Sequence, residues 1–380
     1  MRAAGAALAR GYGTVRHSSL LPETWVISDG NPNADYAAER VAGALGVPHR
    51  VKRALPPRLP VPIARALAGL GSALGLRRAE ALQFVDGTRS RDGMPRFVVA
   101  AAQGALPGVL EIKRLTGGRA IAVFLGLPGT GLAQIDALAL SRLDQMVLRR
   151  MGPARANLDN AVAALLPLTG AVAGARQPAK EPTVAVCVGR GFEPAGYQLL
   201  STHIDSLVDG LAHIPPSRLC IALSAELHPR LRPMVEARLV RPLLQRWGPR
   251  AEVVDYARPG SDRPALADVI ASAAQVIATA DNVGAAALAA ALRRPVYIAS
   301  EERTEGLLRD YYHLLEKENV VRRFYPRGSR YSYMLAPDIG GAVDVFSAVR
   351  DHEPWAKYSA QRDLDRLAAF VRARFRDLMG

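Results

Sequence analysis

Four short loops carry the residue types that could do chemistry. Ser28-Asp29-Gly30-Asn31 ends the apolar run that begins at Trp25. Gly189-Arg190-Gly191 follows Val184–Val188, and Ser224-Ala225-Glu226 follows Leu219–Leu223. Thr279-Ala280-Asp281-Asn282 comes just before an Ala-rich stretch that starts at Val283. Glycines on both sides of Arg190 let backbone approach a phosphate, and the guanidinium can pair with it. A plain tight turn has the same composition. Thr279 and Asp281 can hydrogen-bond a ligand hydroxyl, but Asp281 or Asn282 serves equally well as a helix N-cap. Asp29 is the sole carboxylate of the first loop, which makes it the candidate general base of any enzyme here.

Other chemistries lack their residues. The chain has no His-x-x-x-His pair, no Walker loop and no G-x-S-x-G elbow. His203, His213 and His228 stand alone, so no metal site is expected. Cys187 and Cys220 are the two cysteines, too few for a disulfide-stapled scaffold or a cysteine zinc site. Both fall on apolar runs and read as core thiols.

Those loops need strands and helices to hold them. Apolar runs of strand length occur at Trp25–Ser28, Pro48–Arg53, Phe97–Ala101, Ala120–Leu125 and Ala137–Leu140. Helical patterns lie between them at Ala34–Leu45, Pro62–Leu76 and Gly108–Leu115. A Gly, Pro and charge-rich stretch, Pro167–Pro182, interrupts the pattern as a linker would. The alternation restarts at Val184–Val188 and continues through Leu219–Leu223, Glu252–Asp255, Val276–Thr279 and Val296–Ala299. Helices are expected near Gln198–Leu211, Pro229–Trp247, Leu266–Ser272, Val283–Leu292 and Glu305–Glu318. Strands separated by helices argue for parallel sheets covered on both faces. The fold class is therefore α/β: two Rossmann-like units facing across a cleft, over residues 20–175 and 183–335, joined by a linker at 176–182. A helical extension, 336–380, follows. Its last helix, Ala360–Leu378, has a stripe of Leu364, Leu367, Ala368, Val371, Phe375 and Leu378. That stripe suits packing back onto the protein's own core; a membrane-surface helix is the other reading.

The chain has 380 residues, 49% hydrophobic and 22% charged, which suits globular domains rather than disorder. Of its 49 basic residues, the lysines are Lys52, Lys113, Lys180, Lys317 and Lys357, and the other 44 are arginine. The net charge of +14 favours anionic partners. The arginines are spread along the chain, and no aromatic-interleaved basic block occurs, so no nucleic-acid partner is expected. Residues 1–19, MRAAGAALARGYGTVRHSS, are Arg- and Ser-bearing and hold no acid, the composition of a mitochondrial transit peptide.

Several segments together resemble the mitochondrial fission family named for the elongated mitochondria of plants that lack it. WVISDGNPNADYAAERVAGALG is similar to the family's opening, and PRFVVAAAQGALPGVLEIKRLTGGRAIAVFLGLP to its second signature. PTVAVCVGRG resembles the start of its second half, with Arg190 in place of one glycine of a pair. AAQVIATADNVGAAALAAALRRPVYI and GLLRDYYHLLEKENVVRRF resemble its later blocks. The resemblance implies a glycosyltransferase-B-like fold of two Rossmann domains. Family glutamates are replaced by Ala280 and Leu288, and a serine by Asn282. In related glycosyltransferases a Glu at the second place holds the donor's ribose, so the resemblance supports the fold better than sugar transfer.

Two functions follow as expectations. The first is a non-catalytic or degenerate scaffold in mitochondrial fission, acting with a dynamin-related GTPase at a mitochondrial membrane surface. The second is a glycosyltransferase using a nucleoside-diphosphate sugar, with no other cofactor. Its donor would lie at Gly189, Arg190, Gly191, Thr279, Asp281 and Asn282. The acceptor would face Ser28, Asp29 and Gly30. The expected location is the mitochondrion. A cleaved presequence would put the chain inside, away from a cytosolic dynamin.

Overall fold

The computed structural model describes residues 23–29, 32–53, 94–152, 158–169, 183–193, 196–212, 218–258, 264–324 and 358–376. The candidate transit peptide 1–19, Gly30, Asn31, the expected helix 62–76, the linker 176–182, His213 and residues 336–357 lie outside the described residues.

The first half runs β1 (Thr24–Ser28), α1 (Pro32–Leu45), β2 (His49–Arg53), β3 (Phe97–Ala100), α2 (Leu106–Leu115), β4 (Ile121–Leu125), β5 (Ala137–Leu140), α3 (Arg142–Arg150) and β6 (Ala161–Ala163). Its strands form one parallel sheet in the order β2-β1-β3-β4-β5-β6. β1, β3, β4 and β5 are buried along their whole length, because helices cover both faces. Side chains alternate between two cores. Trp25, Ile27, Val98 and Phe124 enter one, and Val26, Phe97, Val99 and Val123 enter the other.

The second half begins with β7 (Thr183–Val188) and the short hairpin β8 (Phe192–Glu193) and β9 (Tyr197–Gln198). It continues through α4 (Ser201–Leu211), β10 (Arg218–Leu223) and α5 (Arg232–Val235). A π turn, Glu236–Val240, links α5 to α6 (Arg241–Trp247). Then come β11 (Ala251–Asp255), α7 (Leu266–Ser272), β12 (Gln275–Thr279), α8 (Val283–Ala291), β13 (Val296–Ala299), α9 (Gly306–Lys317) and β14 (Arg322–Phe324). The sheet is parallel, in the order β11-β10-β7-β12-β13-β14. The chain builds outward from β7 on one side and from β12 on the other. Its order therefore reverses between β7 and β12, where open α/β sheets leave a crevice beyond the strand ends. The first sheet reverses between β1 and β3 in the same way.

The last helix, α10 (Ala360–Arg374), returns to the first half. Leu364, Leu367, Ala368 and Val371 share a core with Ala37, Val41, Ala42 and Leu45 of α1. The apolar stripe is thus spent on the protein's own core. Leu143 and Met146 of α3 pack against the core of the second half, as does Leu165. The Tyr311 hydroxyl of α9 donates to the Leu165 carbonyl at 3.4 Å.

Four features depart from the expected pattern. α3 has a capping box, in which Ser141 accepts from the Asp144 N–H and Asp144 accepts from the Ser141 N–H. β6 is a three-residue edge strand, Ala161-Val162-Ala163, too short to stand out as a strand within the apolar run Ala161–Leu166. β14 reads Arg-Arg-Phe because it is a sheet edge, where Arg323 pairs with Glu301 and Glu316. α4 starts at Ser201 rather than Gln198, since Tyr197 and Gln198 pair with Glu193 and Phe192 in the hairpin.

Candidate functional site

The switch point of the second sheet brings Gly189-Arg190-Gly191 beside Thr279-Ala280-Asp281-Asn282. The pairing of β7 with β12 places the two strand ends side by side. The Gly189 N–H donates to Thr279 Oγ1 at 2.9 Å. The Gly191 N–H donates to Asp281 Oδ2 at 2.5 Å. Two donors that could face a phosphate are therefore taken by the protein's own side chains. A Cβ on Gly189 would run into the Asp281 carboxylate, so the turn closes around that group. Gly191 has φ of +85°, a conformation that favours glycine.

Asp281 is 6% exposed, and Thr279 3%. Oδ1 of Asp281 is buried with no hydrogen-bond partner among the described residues. Burial pushes the Asp281 carboxyl above its usual range, and bonds from Thr279 and Gly191 hold it back in part. Asn282 is the N-cap of α8; its Oδ1 accepts from the Ala285 N–H at 3.1 Å. The Tyr312 hydroxyl, from α9, donates to the Ala280 carbonyl at 2.6 Å and fixes the loop from below. Leu288 is buried in the helix and offers no polar atom.

Arg190 pairs with Glu193 at 2.5 Å and is 42% exposed. Its carbonyl accepts from the His228 N–H at 3.0 Å, tying the loop after β10 to this turn. In that loop the Ser224 hydroxyl accepts from the Glu226 N–H at 3.1 Å. Asp144, from the first half, lies near enough for the Glu193 charge to add to the burial that raises its carboxyl.

On the opposite sheet, Ser28 donates to Asp35 Oδ2 at 2.6 Å. Burial raises the Asp35 carboxyl, against the Ser28 bond. Asp29 is exposed and lies against Gly104, where a Cβ would collide with its carboxylate. The structure brings Ser28 and Asp29 together on one strand end. It brings Gly189, Arg190, Gly191, Thr279, Asp281 and Asn282 together on another.

Sequence reasoning missed Asp35, Asp144 and Glu193. Asp144 was legible from Ser141 three residues before it. Asp35 and Glu193 join the site through contacts that no local motif announces.

Among the described residues, Glu301, His313 and Glu316 place ligand-type atoms within 4.8 Å of one another. Arg323 pairs with both acids, at 2.6 Å for Glu316, so a guanidinium already supplies the positive charge there. Cys187 is fully buried, which pushes its thiol up to about 12.

The sequence matches the model of the mitochondrial fission ELM1 family over residues 37–375. The chain belongs to that family. No curated protein sequence matches it. Among solved structures, this ELM1-family chain is similar to S. aureus MnaA with UDP, at 9% identity and a TM-score of 0.52, covering 94% of this chain and 97% of that one. It is also similar to a UDP-glucosyltransferase from Polygonum tinctorium, at 11% identity and a TM-score of 0.47, over 94% and 98%. A third similar structure is Anabaena HepE with UDP and glucose, at 12% identity and a TM-score of 0.45, over 94% and 97%. The fold is the two-Rossmann arrangement of the glycosyltransferase-B type, with its final helix returned to the first half. No helix of the described residues is long and apolar enough to cross a membrane.

Proposed function

We propose that this ELM1-family chain is a degenerate glycosyltransferase-like scaffold that works by binding other proteins at mitochondria. One observation carries the reading. The buried Asp281 carboxylate fills the glycine turn where a donor diphosphate would need free N–H groups. A diphosphate entering there has to displace that carboxylate or stand against its charge. Losing a hydrogen bond to a charged group costs about 1.5–3 kcal/mol, roughly tenfold or more in affinity. Leu288 adds to this, since it leaves a donor ribose without an acceptor on α8.

The partner on this reading is a dynamin-related GTPase, and the place is a mitochondrial membrane surface. Family membership supports a mitochondrial association. Thermal-shift titration of the full chain with UDP- and GDP-sugars tests the scaffold. The expected result is no shift with any donor, together with capture of a purified dynamin-related GTPase. A shift that Arg190→Ala abolishes would establish the glycosyltransferase reading instead, with Asp29 as the first base to replace. Imaging of a tagged full-length chain, with sequencing of its N-terminus, tests the location. Trimming inside 1–19 and a matrix signal would remove the cytosolic dynamin from the proposal.

A further inference from the structure

A cleft of about 580 Å³ opens at the C-terminal ends of β10 and β11. That is a volume typical of small-molecule sites. Leu223 and Leu227 give it an apolar side, and Arg232, Glu236, Asp255 and Arg258 a charged one. None of the glycine-turn residues lines it.

Asp255 organises the charged side. It ends β11 and is 8% exposed. Its carboxylate accepts from Arg232 Nη1 at 2.8 Å and from the Ala257 N–H at 3.0 Å. Arg258 Nε pairs with it at 3.2 Å. One carboxylate thus holds two guanidinia, which leaves this trio with one net positive charge. Arg232 also leans on the Ser224 carbonyl at 3.4 Å, so its position is fixed from two sides. Arg258 meets Asp255 through Nε, and its side chain is 78% exposed, which leaves its terminal nitrogens for an anion. Held guanidinia lose little freedom when they bind a carboxylate or phosphate. Glu236 brings a second carboxylate to the same cleft, so its four charged side chains sum to zero, and its oxygens can accept from a ligand hydroxyl.

We propose that this cleft binds a small hydroxylated anion, a sugar phosphate or a sugar acid. Its anionic group sits on Arg258 and Arg232, a hydroxyl donates to Glu236, and its C–H face lies on Leu223 and Leu227. The site stands apart from the scaffold reading, because it uses none of the residues on which that reading rests.

Thermal-shift titration of the full chain with glucose 6-phosphate, gluconate and inorganic phosphate tests it. At least one of the two organic anions is expected to raise Tm by about 2 °C or more at saturation, and inorganic phosphate by less. A shift with glucose 6-phosphate alone assigns a phosphate ligand, and one with gluconate alone a carboxylate. Arg258→Ala and Arg258→Glu are expected to abolish the shift. The unliganded Tm should fall only slightly in Arg258→Ala, because the arginine is mostly in solvent, and further in Arg258→Glu, which sets a second carboxylate beside Asp255; the test reads the ligand-induced shift from each variant's own baseline. No shift with either sugar, an equal shift with inorganic phosphate, or a shift that survives both variants overturns the site. A shift lost in Arg190→Ala instead would move the ligand to the glycine turn and overturn the scaffold reading as well.

Discussion

The Gly191 N–H and the Asp281 carboxylate meet at 2.5 Å across 90 residues of sequence. The bond joins the end of β7 to the start of α8 and puts a carboxylate inside a turn suited to binding anions. Gly189 makes this possible by having no Cβ where the carboxylate lies. Three predictions concern this pair and its counterpart on the other sheet.

Gly189→Ala forces a methyl group into the Asp281 carboxylate. The cost expected is about 1–3 kcal/mol, read as a lower urea midpoint. Asp281→Ala alone leaves the Gly191 N–H buried and unpaired, at about 1–3 kcal/mol. In the double variant the collision is gone. The two costs should therefore sum to more than the measured loss, and simple additivity would show that the glycine does not make room for the acid.

The pH dependence follows from the raised Asp281 carboxyl. Unfolded, the group titrates near its ordinary 3.8; folded, it holds its proton to higher pH. The native state binds more protons in that window, so stability is greatest below it and falls as pH rises through the folded value. Asp281→Asn keeps an oxygen for Gly191 and removes the titration. Urea midpoints of the variant, relative to wild type, should improve as pH climbs from about 4 toward neutrality. A constant difference would show that burial does not disfavour the charge.

Ser28→Ala removes the donor to Asp35. The loss expected is about 1–2 kcal/mol, because the hydrogen bond goes to a charged group. The Asp35 carboxyl should move further up, since that bond is what lowers it. NMR titration of the carboxyl carbon checks the direction, and an unchanged midpoint would deny the bond's effect.

The returning helix supports a fourth prediction. Leu367 is fully buried against α1. Leu367→Ala should cost about 2–5 kcal/mol, read by denaturant unfolding. Arg376→Ala, at an exposed position just past the end of that helix, should stay within about 0.5 kcal/mol. Equal effects would mean that the helix is not docked on the first half.

The thiols give a fifth. Cys187 is at 0% exposure and Cys220 at 2%, and burial pushes both thiols up, that of Cys187 to about 12. Neither should react with a thiol reagent at neutral pH until the chain is unfolded, when two thiols become countable. Fast labelling of the native protein would contradict the buried positions.

The sequence alone determined the α/β class, the parallel sheets and most strand positions. Runs such as Val184–Val188 and Phe97–Ala100 are apolar at every position because both sheet faces are covered, and that signal is local. It also determined that α10 has an apolar stripe. Only the tertiary structure decided that Leu367 meets α1, some 320 residues earlier in the chain. It likewise decided that Asp281 fills the turn at Gly189 and Gly191, and that Asp255 holds Arg232. Composition offered a glycine turn and an acid, and both a ligand site and an internal bond are consistent with that. The choice depends on the strand order that sets β7 beside β12, and strand order is a property of long-range packing that no local pattern of residues encodes.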